Sequence, residues 1–183
     1  MAEIKEERLQ KELQHASISL VLDTYDDIFS DFDPRPFSER ALSDDFLLEC
    51  KKATHDKVEG GFELILSMPR KLRSIIDEAK IKKRLRDYFK KHSAEKQKEI
   101  NKIKKEGLSW IIIGAVLMIA TAFIRTYTET FAINLITIII EPASWFSFWE
   151  GLGKIFIESK KKQPEEEFYH KMSSVTITFR SYD

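Results

Sequence analysis

The chain has 183 residues, with 30 basic and 30 acidic side chains, 43% hydrophobic residues and a single cysteine. Six glycines and five prolines exclude a low-complexity or collagen-like chain, and Cys50 has no intrachain partner, which excludes a disulfide framework. The length allows one compact domain with an appendage.

The first fifteen residues, MAEIKEERLQKELQH, are charged throughout, so residues 1–16 read as a polar helical segment and not as a cleavable signal. ISLVLD (Ile18–Asp23) and FELILS (Phe62–Ser67) are short, β-branched apolar runs that read as buried strands, the second introduced by Gly60 and Gly61. Between them Ser43 is a good N-cap, followed by Asp44 and Asp45 in the first turn, with Leu42 and Leu47 as a hydrophobic staple. The helix it opens runs to His55 and turns Phe46, Leu47, Cys50 and Ala53 toward a core. Strand, crossover helix, strand predicts a parallel unit. In SVTITFRSY the alternation of Val175, Ile177 and Phe179 with Thr176, Thr178 and Arg180 marks a third strand that returns to the same sheet. The expected cytoplasmic α/β module therefore comprises residues 17–69 and 172–183. A second helix is needed to cover the other face of so thin a sheet.

That helix starts near Ser74 and continues without Pro or Gly to Gly107. Ile75, Ile76, Ala79, Leu85, Tyr88 and Phe89 are its expected packing positions. Toward its end Ile100 and Ile103 stand among charges, so residues 70–106 read as a basic amphipathic helix that becomes a solvated stalk.

From Leu108 to Ile124 there are seventeen residues without a charge. At 1.5 Å per residue they cover about 26 Å, enough for a transmembrane helix. A second apolar run from Phe131 to Ile140 follows a short loop and makes a hairpin over 107–141. Arg70 to Glu106 holds fifteen Lys and Arg, Lys154 and Lys160 to Lys162 follow the second run, and the loop offers only Arg125. The positive-inside rule then places both termini in the cytoplasm of a multi-pass cell-membrane protein. Two geometries compete at Glu141: a helix continuing through Pro142 to Trp149, with a carboxylate near mid-membrane, or a helix that ends there while Pro142 opens a flat interfacial helix over 142–160. The aromatic face of Trp145, Phe148, Trp149, Leu152, Ile155 and Phe156 favours the second. The expected fold class is thus α+β, a small three-stranded module with a transmembrane hairpin and an interfacial helix inserted before the last strand.

Candidate chemistry is sparse. Asp23, Asp26, Asp27, Asp31 and Asp33 follow the first strand, where α/β folds place sites, and clustered carboxylates hold divalent cations. No calcium-loop glycine stands at the required offset, and turn-capping is the simpler reading, so no cofactor is expected beyond that divalent ion. Glu141 and Asn134 are the polar groups of the hairpin. Trp110, Trp145 and Trp149 are expected at the membrane interface, and Lys102, Lys104, Lys105 and Lys154 against lipid headgroups. The cluster Lys80, Lys82, Lys83, Arg84, Arg86, Lys90 and Lys91 leads into a membrane helix, so lipid and not nucleic acid is its expected neighbour.

The leading expectation is a non-catalytic interaction module held at a membrane, with a protein partner or a second copy. A membrane-active oligomer, a pore or transporter component using Glu141, is the alternative, and a metal-dependent membrane enzyme using the aspartate loop the third. Charge is segregated: net −8 over Met1–Pro69, +9 over Arg70–Glu106 and −1 over Gly107–Asp183.

Overall fold

A computed structural model describes residues 17–55, 63–127 and 130–183. The polar helix expected over 1–16 and the glycine pair Gly60–Gly61 lie outside the described residues. The elements are β1 (Ser17–Val21), a 3₁₀ turn (Tyr25–Ile28), α1 (Asp44–His55), β2 (Glu63–Pro69), α2 (Ile75–Tyr127), α3 (Phe131–Gly153), a π-helical turn (Lys154–Glu158), α4 (Ser159–Ser173) and β3 (Thr176–Tyr182). The fold is α+β, three parallel strands with long helices. The chain divides into two compact units, Met1–Ser93 with Phe168–Asp183, and Ala94–Glu167.

In the first unit β2 lies between β1 and β3, both parallel to it, with Ile18 level with Leu64 and Leu64 level with Ile177. Period-two alternation sends Ile18, Leu64, Leu66, Met68, Ile177 and Phe179 to one face, where they join Phe46 and Cys50 of α1, Ile81, Leu85 and Phe89 of α2, and Phe168 and Met172 of α4 in a single core. Each such side chain contributes about 1.5–3 kcal/mol of burial. Among the described residues α1, α2 and α4 thus share one face. On the opposite face Ser19, Val21, Thr176 and Arg180 are exposed while Ile65 of the central strand is buried outside the main core cluster; α2 packs on the first face, which corrects the expectation that it would cover the second.

α1 begins as expected, with the Leu47 N–H bonded to the Ser43 carbonyl at 3.1 Å. α2 corrects its predicted packing face. Ile75 and Ile76 are 86% and 71% exposed, whereas Glu78, Ile81, Leu85 and Phe89, at helical spacing, are buried.

The second unit is an antiparallel helix pair. Its charged half is laced by Lys96–Glu165 (3.0 Å), Lys162–Glu99 (2.8 Å) and Lys154–Glu106 (3.8 Å). Ile100 and Ile103, 3% and 8% exposed, are buried between the arms, so this stretch is a two-helix stalk and not a solvated single helix. Its partner lies some sixty residues further along the chain, which is why one arm alone reads as unpaired.

In the apolar half the seam is made of small residues seven apart, Gly107, Gly114 and Thr121 on one arm and Thr137, Ser144 and Gly151 on the other, all buried. A Cβ at Gly114 would stand 2.6 Å from the Phe148 amide nitrogen, and one at Gly151 would stand 2.5 Å from the Gly107 carbonyl oxygen. Backbone touches backbone, the arrangement that small residues allow in packed membrane helices. The seam hydroxyls bond their own helix: Thr121 donates to the Leu117 carbonyl, Ser144 to Ile140, Ser147 to Ala143 and Ser159 to Ile155.

The separate flat helix after Glu141 is not what forms. α3 runs unbroken from Phe131 to Gly153 with Pro142 inside it. Proline removes one hydrogen bond, while the seam contacts on both sides of it hold the helix in line.

Cys50 is fully buried on α1, and burial pushes its thiol up to about 12. We expect a maleimide dye to leave the native protein unlabelled at neutral pH and to label it only as the first unit unfolds; rapid labelling of the native chain would contradict this packing.

Candidate functional site

Two polar sites stand out, one in each unit. The first lies at the carboxyl ends of the parallel strands. Just beyond β2, Arg73 extends its guanidinium to Glu78, Nε to Oε1 at 2.7 Å and Nη2 to Oε2 at 3.0 Å, and its Nη1 reaches the Ser181 hydroxyl of β3 at 2.9 Å. Tyr25, just beyond β1, donates its hydroxyl to Glu78 Oε1 at 3.2 Å and accepts from the Ser74 amide at 2.8 Å. Tyr182 closes the same end by donating to the Leu22 carbonyl at 3.2 Å. One buried carboxylate thereby ties the ends of all three strands to the first turn of α2.

Burial alone would push the Glu78 carboxyl up. The hydrogen bonds and charge of Arg73, with the Tyr25 hydroxyl, outweigh it and hold the group below its ordinary value. Desolvation, with the Glu78 charge, raises the Tyr25 phenol. Every polar atom of Glu78 is engaged, so the cluster serves as a clamp. Sequence reading missed it; the available signal was a glutamate in register with Ile81, Leu85 and Phe89 on the buried face.

Three of the loop aspartates are spent on local turns and arginines, the arrangement that the turn-capping reading expects. Asp27 spends its carboxylate on the Asp23 and Thr24 amides as a capping box, Asp26 pairs with Arg40, and Asp33 holds Arg35 and the Ala41 amide. Asp23 and Asp31 are exposed. Among the described residues no three His, Cys, Asp or Glu side chains converge. The short spacing of carboxylates reflects turn chemistry: each oxygen replaces a backbone partner that an irregular loop lacks.

The second site is in the hairpin. Helical side chains lean toward the N-terminus of their own helix, so on antiparallel arms Arg125 and Glu141 lean toward one another. They meet at 2.7 Å, Nη1 to Oε1. The pair sits in an open groove of about 550 Å³ lined by Met118, Thr121, Ala122, Thr126, Ser144 and Trp145. Asn134 is exposed and is not among the lining residues. Sequence reading singled out Glu141 but assigned Arg125 to the loop.

Trp110, Trp145 and Trp149 are 39%, 55% and 60% exposed on the outside of the arms. Lys102, Lys104 and Lys105 are exposed, and Lys102 and Lys154 both approach Glu106. Exposed ion pairs of this kind contribute about 0–1 kcal/mol each, so the seam, not the charges, holds the arms together. The dense basic stretch of α2 is partly engaged within the first unit: Arg84 donates to the Arg40 carbonyl at 2.9 Å, and Lys82 stands over the Phe179 ring.

No protein-family model, no curated protein and no solved structure matches the chain.

Proposed function

We propose that this is a multi-pass membrane protein whose hairpin holds the parallel α/β module at the cytoplasmic face as a non-catalytic interaction module. α2 and the helical run Phe131–Ser173 are both long and apolar enough to cross a membrane. One observation carries the reading: in the most apolar window of each, only 17% of residues are buried. A core helix of a soluble domain would be mostly covered. Here the small residues face inward while Ile112, Val116, Ile119, Phe123, Leu135, Ile138 and Ile139 face outward. That is the inverse of a water-soluble helix pair and suits a hydrocarbon solvent, where hydroxyls must also be satisfied within the helix.

Spanning lengths agree. From Leu108 to Tyr127 and from Phe131 to Glu150 each arm advances about 28 Å, close to the thickness of a hydrocarbon core. Trp110 and Trp149 stand at the end where Lys102, Lys104, Lys105 and Lys154 collect, as an interfacial belt backed by headgroup contacts would. The lysine-rich halves of both arms lie at the end of the pair away from the loop, so that end is assigned to the cytoplasm. The pore-like alternative keeps one supporting observation, a helix that carries Glu141 through the spanning stretch.

The test is topology in intact cells. In a Cys50→Ala background, cysteine at 129 is expected to react with an impermeant maleimide from outside, and cysteine at 174 only after permeabilisation. Release of the protein by alkaline carbonate, or equal labelling of both positions, would overturn the assignment.

A further inference from the structure

We propose that a second copy of this chain packs against the groove that holds Arg125 and Glu141, so that the two ion pairs close into a four-membered ring across a two-fold axis. The inference rests on the hairpin lying in a bilayer. Glu141 is ten residues after Phe131 and nine before Glu150, so its backbone falls about 15 Å and about 14 Å from the two ends of its arm, while Arg125 starts about 3 Å from the loop end of its own arm and reaches inward to meet it. The pair is nevertheless open: the side chains of Arg125 and Glu141 are 59% and 42% exposed. Among the described residues the guanidinium makes one bond, Nη1 to Oε1, leaving Nε, Nη2 and the second carboxylate oxygen with no bond. Lipid tails can satisfy none of them.

The geometry selects the occupant. Copies inserted in the same orientation are related by an axis along the membrane normal, which keeps every residue at its own depth. The guanidinium of Arg125 and the carboxylate of Glu141 are in contact, so the charged tips share one depth although their backbones do not. The two-fold operation therefore carries Arg125 of one copy toward Glu141 of the other, and the surface is complementary to itself. A bidentate carboxylate and a forked guanidinium have the spare bonding positions for two partners each. Ala122 and Thr126 are small and exposed between the bulkier Met118 and Trp145 of the groove, which leaves room for a second helix to approach.

The experiment uses the full chain in native membranes with Cys50→Ala. Met118→Cys, in the groove, is expected to form a disulfide-linked dimer under mild oxidation, whereas Val116→Cys, about 200° away round the helix, is not. Arg125→Glu and Glu141→Arg chains expressed singly should each lose the Met118→Cys crosslink by about tenfold, and co-expression should restore it as a mixed dimer, because each cation then faces an anion across the interface. Recovery on co-expression also shows that the single variants fold. If neither cysteine crosslinks in chains that resist alkaline carbonate, or if the mixed chains show no recovery, the dimer is wrong while the membrane reading stands; that outcome leaves the groove to water or to a lipid phosphate reached by Arg125. Release by carbonate would remove the membrane reading instead.

Discussion

Replacing Gly114 by leucine is expected to separate the two arms of the hairpin. The glycine is buried against backbone, with the sites of any Cβ at 2.6 Å from the Phe148 nitrogen and 2.8 Å from the Ser144 carbonyl oxygen. Ordinary contact needs about 3.5 Å, so even alanine forces the helices apart by close to 1 Å locally, and no side-chain rotation relieves it because the opposing atoms are main chain. Leucine places three more carbons in the same space, at a cost of about 3 kcal/mol, the upper end for overpacking. The loss is not confined to one contact. Gly107 and Gly151 meet by the same mutual approach of main chain, and arms held apart at Gly114 cannot keep it. Spin labels on cysteines at Lys102 and Lys160 should report one narrow distance in the parent chain and a broad, longer distribution in Gly114→Leu. A narrow, unshifted distribution would show that the seam is not what joins the arms. Gly153 is the control, since nothing stands within 4 Å of a Cβ built there; Gly153→Ala should leave the distance unchanged.

Arg73→Ala is expected to be the most damaging change in the first unit and to reverse its response to pH. Glu78 is 6% exposed, and truncating its partner leaves a buried carboxylate with only the Tyr25 hydroxyl, a loss of about 3–5 kcal/mol at neutral pH. In the parent, the carboxyl is held below its ordinary value of 4.5. That contribution to stability is complete above pH 4.5 and is lost as pH falls through the lowered folded value. Without Arg73, burial becomes the dominant influence and raises the carboxyl above its ordinary value. The sign then inverts: protonated Glu78 favours the fold at low pH, and stability falls as pH rises through the raised folded value. Thermal unfolding read from Cys50 labelling at fixed short exposure, or from circular dichroism where slow labelling at acid pH interferes, should show the parent losing stability below pH 4.5 and the variant gaining it. A variant with the parent's pH profile would show that Arg73 does not set the charge state of Glu78. Glu78→Gln, which keeps the shape and the Tyr25 contact, should cost less than Arg73→Ala.

Both changes act where sequence reading was least informative, and the reason is the same. The strands were legible because alternation is local: Ile177 and Phe179 announce their face without knowledge of Leu64 or Leu66. The start of α1 at Asp44 was legible for the same reason, since a cap and its acidic first turn lie within four residues. Tyr25 and Glu78 are 53 residues apart and Arg73 and Ser181 are 108 apart, so nothing local marks them as neighbours. The stalk was misread because Ile100 and Ile103 look like isolated apolar residues until α4 is laid beside them. Pro142 was given too much weight as a helix start. In a closely paired helix the loss of one N–H is small beside contacts such as Ser144 on Gly114, and a proline within an apolar stretch is weak evidence for a break. In the aspartate loop the turn-capping reading was the legible one, because Asp27 caps amides three and four residues away and Asp33 holds Arg35 two residues on.

The π-helical turn from Lys154 to Glu158 sets the phase of everything after it. Thr137, Ser144 and Gly151 recur every seven residues, and the next buried hydroxyl is Ser159, eight on from Gly151. A wider turn absorbs that surplus residue without breaking the helix. Counting in strict sevens would have brought Glu158 to the inner line; the insertion instead leaves it on the surface beside Lys154. The turn is therefore where the seven-residue spacing of the apolar half gives way, and it is what brings a hydroxyl and not a carboxylate to the inner line at the next step.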